Sequence, residues 1–194
     1  MDDPLQQTYI ELGAWSSPVD FKRRVDSVKV KSCDYWTSRR FNSLREAWVL
    51  AEFALLIKAD RVRLNLTENS PADGYVKISG DCREVQITEA LKPGREIGNE
   101  YKSGPKYRVL TCEEINDADD VAEALTGAIE KKIKRYGSIR SQHASRPMLV
   151  VSLELGVHGR QEEELRLQSQ IAVLKERYAA HFGGIYVLQS GKLV

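Results

Sequence analysis

The period of apolar and polar positions changes several times along this chain, and each change predicts a new element. Residues 43–57 are apolar almost throughout, which predicts a buried helix, and Ser43 with Glu46 predicts a capping box at its start. Residues 61–66 then alternate with period two and predict a strand. Two more strands, joined by a tight turn, are predicted within residues 73–90.

The second half of the chain returns to helical spacing after a stretch without a regular pattern. Prolines and glycines interrupt residues 89–118, so we expect a long loop there. Helical spacing between residues 121 and 136 predicts a second helix, and the continuous apolar run at 148–153 predicts a central strand. A third helix at 161–181 and a strand at 185–188 complete the series. This order predicts an α/β fold, a mixed β-sheet flanked by helices.

Chain length and composition predict one domain with no membrane association. The 194 residues fit a single domain, and neither a repeat nor a low-complexity segment divides them. Residues 1–40 carry little pattern, apart from an alternation at 25–31 that favours a strand. The N-terminus shows no secretory signal, and the apolar stretch 47–57 is too short to span a bilayer.

Charge is segregated along the chain, although the net charge is only +1. Residues 19–45 carry eight lysines and arginines against three aspartates, and residues 131–140 carry five with no acid. Such blocks suit a phosphate backbone, although a solvated surface is the better explanation of any single one of them. The candidates for contact with nucleic acid are Arg23, Arg24, Arg39, Arg40, Lys131, Lys132 and Lys134.

Cysteines and other motifs narrow the chemistry further. The three cysteines are far apart and form no CxxC pair, so neither a disulfide framework nor a zinc site is indicated. This pattern suits a cytoplasmic location. The acids at 116–120 lack the glycine and the terminal glutamate of a calcium loop, and helix capping explains them better.

The hairpin at 73–90 carries polar groups at matched spacing. Residues two apart in a strand share a face, so Glu84, Gln86 and Thr88 point one way, and Asp73 on the preceding strand can lie close to Glu84. Paired carboxylates repel unless a cation lies between them, and hard oxygen ligands suit Mg²⁺ or Mn²⁺. The alternative is an ordinary surface hairpin with its polar side chains turned outward.

The hairpin also resembles a family signature. Pro71-Ala72-Asp73, followed after eleven residues by Glu84-Val85-Gln86, is similar to the motif of PD-(D/E)XK nucleases. The order of one helix, three strands, a helix and a strand over residues 43–153 resembles the restriction-endonuclease-like core of that superfamily. Residues 154–194 would then add a C-terminal helix and strand to the core.

The resemblance implies a role for each matched residue. Asp73 and Glu84, with the backbone carbonyl of Val85, would bind Mg²⁺ or Mn²⁺. Gln86 stands where the family usually has a lysine that orients or activates the attacking water. Lys77 is about 13 Å along its strand from Asp73 and is too far away to replace it. The lysines of the second helix, Lys131, Lys132 and Lys134, remain open as replacements.

Glu52 is the one charged residue between positions 47 and 57. A carboxylate among apolar neighbours needs a partner, and an arginine at the helix edge would supply one. The resemblance implies a different role, because the first core helix of the family often carries an acid that reaches the metal.

The sequence therefore predicts a magnesium-dependent nuclease that hydrolyses phosphodiester bonds of DNA. Two alternatives stay open. One is a catalytically inactive nuclease fold that binds nucleic acid or regulates, and the other is a protein-interaction or immunity-type domain without a nucleic-acid role. A homodimer is compatible with each of them.

Overall fold

The computed structural model describes residues 4–28, 38, 41–67, 70, 72–91, 117–136, 146–153 and 161–194. The helices are α1 (Pro4–Gly13), α2 (Pro18–Val28), α3 (Asn42–Leu56), α4 (Ala118–Tyr136) and α5 (Gln161–Arg177). The strands are β1 (Arg61–Leu64), β2 (Gly74–Ile78), β3 (Asp81–Ala90), β4 (Met148–Leu153), β5 (Gly184–Gln189) and β6 (Lys192–Leu193).

The segment that was predicted as a strand at residues 25–31 is helical as far as Val28, so that prediction is wrong for its described part. Ser17 starts α2, because its Oγ accepts a hydrogen bond from the Asp20 amide at 3.1 Å. Phe21 and Val25, one helical turn apart, are both buried. Val25, which begins the apparent alternation of valines, therefore lies on the buried face of a helix.

The start of α3 also differs from the prediction. The helix begins at Asn42, and its N-cap residue, Phe41, makes no side-chain capping hydrogen bond. The capping box of Ser43 with Glu46 is therefore wrong. Glu46 lies in the second turn of the helix, and its carboxylate is available for contacts with the sheet.

The six strands form one mixed sheet in which each strand pairs with the next in the chain. The pairs β1–β2, β2–β3 and β5–β6 are antiparallel, whereas β3–β4 and β4–β5 are parallel. Ser79 and Gly80 connect β2 to β3 with φ values of 52° and 86°, as a two-residue type I′ turn requires. The mixed α/β architecture predicted from the sequence is confirmed.

Helices pack on both faces of the sheet, with a hydrophobic core on each side. On the first face, α1, α2 and α3 cover apolar residues of β1, β2 and β3, among them Val76, Val85 and Ile87. On the second face, α4 and α5 cover residues of β4 and β5 and the end of β3, including Leu149 and Val151. The alternation of β3 therefore turns Glu84 and Gln86 towards the second face.

The C-terminal elements differ slightly from the prediction. The third predicted helix ends at Arg177, and the last predicted strand is extended by the hairpin to β6. The predicted loop at 89–118 lies mostly outside the described residues, and its first two residues belong to β3. None of the described helices is long and apolar enough to cross a membrane.

Candidate active site at the end of the β2–β3 pair

Asp73 lies at the point where the pairing of β2 with β3 ends. Its amide donates to the Val85 carbonyl at 2.9 Å, and its carboxylate oxygen Oδ2 accepts from the Ile87 amide at 2.6 Å. The side chain thus takes over a hydrogen bond that the backbone of a longer β2 would have made. This fixes the carboxylate at the end of the strand pair.

Lys132 reaches the same carboxylate from α4. Its Nζ is 2.7 Å from Asp73 Oδ2 and donates a further hydrogen bond to the Ile87 carbonyl at 2.8 Å. The two side chains are only 9% and 12% exposed. A buried ammonium needs this kind of pairing, because an isolated charge is strongly destabilised away from water.

Glu46 brings a second carboxyl group to this region from α3. Burial raises its pKa to about 7, and the negative charges of Asp73 and Glu89 act in the same direction. The positive charges of Lys132 and Arg45 oppose this increase. Burial is the main cause of the raised pKa, and the charges of two neighbouring acids add to it.

The donor atoms fit a hard divalent ion, although no complete metal site is preformed in the described part of the chain. Oδ1 of Asp73 makes no hydrogen bond to a described residue, whereas Oδ2 accepts two. The Glu46 carboxyl adds oxygen donors of the type that Mg²⁺ and Mn²⁺ prefer. Among the described residues, however, no group of three or more His, Cys, Asp or Glu side chains is arranged around a common point.

The predicted residues of β3 lie near the point where its pairing with β2 ends. The β2–β3 register pairs Tyr75 with Glu84 and ends at the pair of Gly74 with Val85, beyond which the Asp73 amide donates to the Val85 carbonyl. Glu84 and Gln86 are both buried, at 4% and 5% exposure. The two side chains share the second face of the sheet, whereas their closeness to Asp73 and their roles as metal ligand and lysine replacement stay predictions.

The backbone carbonyl of Val85 has a structural role. It accepts the Asp73 amide, and therefore points across the strand pair towards β2. A metal ion bound there would have to use the second lone pair of this oxygen.

Glu52 lies in an ion pair with α2. Its Oε1 is 3.3 Å from Lys22 Nζ, and its side chain is 20% exposed. This arrangement is the ion-paired acid of the simpler interpretation, with a lysine in place of the expected arginine. We therefore leave Glu52 out of the site, and Glu46 is the acid of α3 whose charge interacts with Asp73.

The predicted contacts to nucleic acid fall into different environments. Arg23 pairs with Asp20 at 2.9 Å on the exposed surface of α2, and Arg24 donates to the Glu11 carbonyl at 3.2 Å. Lys131 and Lys134 are exposed on α4.

Lys132 does not belong to this exposed set. Its burial and its pairing with Asp73 contradict a role as a surface phosphate contact. Arg39 and Arg40 lie outside the described residues.

Two features of the sequence carry information about this site. Lys132 continues the buried stripe of α4 that runs through Val121, Leu125 and Ile129, so its position already indicated a buried lysine. Glu46 follows Ser43 at the spacing of a capping box, and this spacing explains the acid without any role in a site.

No protein-family model matches this chain, and neither a curated protein nor a solved structure shows significant similarity to it.

Proposed function

We propose that this chain is a divalent-metal-dependent nuclease of the PD-(D/E)XK type, which hydrolyses phosphodiester bonds of DNA. The observation that carries the proposal is the 2.7 Å contact between Lys132 Nζ and Asp73 Oδ2. The linear motif has glutamine where the family usually has lysine. Lys132 supplies an ammonium group beside the motif acid from another element of the fold.

The element order supports the same proposal. From α3 to β4 the chain runs helix, three strands, helix and strand, and β1 to β4 are neighbours in that order. This is the order that resembles a restriction-endonuclease-like core. Asp73 lies at the end of the β2–β3 pair, and α3 brings Glu46 to it, as the resemblance implies for an acid of the first core helix.

The chain's own residues would divide the chemistry between them. Asp73 Oδ1 and the Glu84 carboxylate would hold the ion, and Glu46 would lie close enough for its charge to interact with that of Asp73. When bound, the ion would polarise the scissile phosphate and lower the pKa of a coordinated water. Lys132 would fix the orientation of the Asp73 carboxylate and place a positive charge beside it. Glu46, with a pKa of about 7, can hold or release a proton near neutral pH.

Cleavage by the purified full chain tests the proposal. Labelled single-stranded and duplex DNA would be incubated with Mg²⁺ or Mn²⁺, and with EDTA as the blank. We expect metal-dependent cleavage that Asp73→Asn abolishes. Asp81→Asn is the matched control, because this acid lies in the same hairpin but its side chain is 73% exposed, so its activity should equal the wild type.

Cleavage that persists in Asp73→Asn would refute the assignment of the site, and no cleavage with either ion would refute the nuclease. One feature favours the inactive alternative in that case. Asp73 Oδ2 already accepts from an amide and an ammonium, so Lys132 can serve as the permanent cation of a fold that only binds nucleic acid. DNA binding without Mn²⁺ binding in calorimetry would identify that alternative, and absence of both would favour a protein-interaction domain.

A further inference from the structure

The second face of the sheet carries a row of aromatic and cationic side chains at its β1 edge. Ser16 pairs with Val62 in an antiparallel bridge, which places Trp15 beside Arg63. Arg63 lies opposite Tyr75 on β2, and Tyr75 lies opposite Glu84 on β3. We call Trp15, Arg63 and Tyr75, together with Lys77, the stacking row.

Within the stacking row the planar groups lie against one another. The guanidinium carbon of Arg63 is 4.6 Å from the centre of the Tyr75 ring and 5.0 Å from that of Trp15. The Nζ of Lys77 is 4.9 Å from the Trp15 ring. These distances are those of cation–π contacts, which hold a cation in place without neutralising its charge.

The positive charges of this surface are not paired with acids in the described part of the chain. Neither Arg63 nor Lys77 forms an ion pair with a described residue, and the same holds for Arg61, which lies opposite Lys77 in the register. The Nε of Arg63 is buried and has no hydrogen-bond partner in the described part of the chain. A planar guanidinium fixed between two rings is well suited to bind a phosphate.

The stacking row lies beside the candidate active site and outside the cover of the helices on that face. Tyr75 and Asp73 are two residues apart in the chain, so their Cα atoms are at most about 7 Å apart. The second core, beneath α4 and α5, contains residues of β3, β4 and β5 but none of β1 or β2. Trp15, Arg63, Tyr75 and Lys77 are all half-buried, so each keeps accessible surface.

We propose that the stacking row binds a single strand of nucleic acid and leads it to Asp73. Phosphates bind to Arg63, Lys77 and Arg61, and a base adds as a further planar group to the series formed by Trp15, Arg63 and Tyr75. An open strand is favoured because the bases of a duplex are stacked inside it and their faces cannot reach a sheet. This names the substrate form of the proposed nuclease and rests on it in that respect, but binding is measured without cleavage.

Fluorescence anisotropy of labelled oligo(dT) with the full chain in EDTA tests the proposal, with a duplex of equal length as competitor. We expect the single strand to bind better than the duplex at low salt. Arg63→Gln should weaken binding and reduce the salt dependence of log K by about 0.7, the contribution of one phosphate contact. Tyr75→Ala should weaken binding roughly five- to hundredfold, the range for losing one stacked base.

Arg83→Gln is the matched control, because Arg83 lies on β3 opposite Val76 and therefore on the other face of the same hairpin. Its affinity should equal the wild type. Circular dichroism would show whether each variant is folded. Photo-cross-linking of wild-type protein to bromouracil-containing oligonucleotide, with peptide mapping, needs no variant and should label Trp15 or Tyr75.

Each outcome of these measurements either supports or contradicts the proposal. Preference for the duplex, no binding at low salt, equal affinity of the Arg63 and Arg83 variants, or cross-links elsewhere would overturn the stacking row. The row would then serve only to fasten the segment around Ser16 to β1. Single-strand binding as expected, without any metal-dependent cleavage, would support the proposed role of the stacking row and refute the nuclease. Cleavage without single-strand binding would support the nuclease and refute the role of the stacking row.

Discussion

Replacing Glu46 by glutamine should stabilise the protein at pH 8 and leave its stability almost unchanged at pH 4.5. Burial, Asp73 and Glu89 together raise the pKa of Glu46 from its ordinary 4.5 to about 7. Between these two pH values the folded state therefore binds a proton that the unfolded state releases. The stabilisation that results is complete below pH 4.5, decreases as the pH rises through 7, and is absent at pH 8.

The size of the effect follows from the same two values. Each tenfold change in proton affinity corresponds to about 1.4 kcal/mol, so a pKa of about 7 in place of 4.5 corresponds to about 3 kcal/mol. Glutamine resembles the protonated acid and has no charge to desolvate. The free energy of unfolding of Glu46→Gln minus that of the wild type should therefore rise from near zero at pH 4.5 to about 3 kcal/mol at pH 8.

Urea denaturation at several pH values, followed by circular dichroism, measures this difference directly. Because both proteins contain all the other titrating groups, the contributions of those groups cancel in this difference. Glu52→Gln is the control in the same helix, because its carboxylate is 3.3 Å from Lys22 Nζ and the substitution removes this ion pair. It should show no stabilisation at pH 8. A difference for Glu46→Gln that does not change with pH would refute the proposed environment of this carboxyl group.

Two further substitutions test the packing around the site. Lys132→Met should destabilise the protein by about 3–5 kcal/mol in urea denaturation, because it leaves Asp73 as a buried charge without its partner. The control, Lys131→Met at an exposed position, should change stability by less than about 0.5 kcal/mol. Gly74→Ala should lower the free energy of unfolding by about 1–3 kcal/mol, seen as a lower thermal midpoint. The reason is that a Cβ there would meet Leu50 Cδ2 and lie 3.1 Å from the Arg63 carbonyl oxygen. A midpoint equal to that of the wild type would show that α3 does not pack as closely on β2 as described.

The elements with a strong period could be predicted from the sequence. The hairpin around Ser79 and Gly80 alternates, and its turn allows positive φ, so its strands, its turn and the faces of its residues could be predicted from local rules. The apolar run at 148–153 was recognised as a strand because it is buried on both faces. In each case the pattern of one short segment contains all the information needed.

The site could be predicted only in part, because its contacts join distant positions. Asp73 meets Lys132 only because α4 packs over the end of β3, and nothing local to either residue specifies this approach. The error at α2 has a related cause. Val28 belongs to an alternating run that favours a strand, whereas the spacing of Phe21, Val25 and Val28 is helical, and the fold buries Phe21 and Val25.

Because every strand pairs with the strand before it in the chain, the sheet can assemble in the order of synthesis. The strands β1, β2 and β3 are joined by short connections, so their pairing needs little loop closure and can form early. Residues 91–147 separate β3 from β4, a longer connection than residues 154–183 between β4 and β5. While that longer segment is being made, β3 is the open edge of the growing sheet, and its unpaired backbone groups can pair with another chain. The strand that carries Glu84 and Gln86 is thus the edge of the nascent sheet that most needs protection during synthesis.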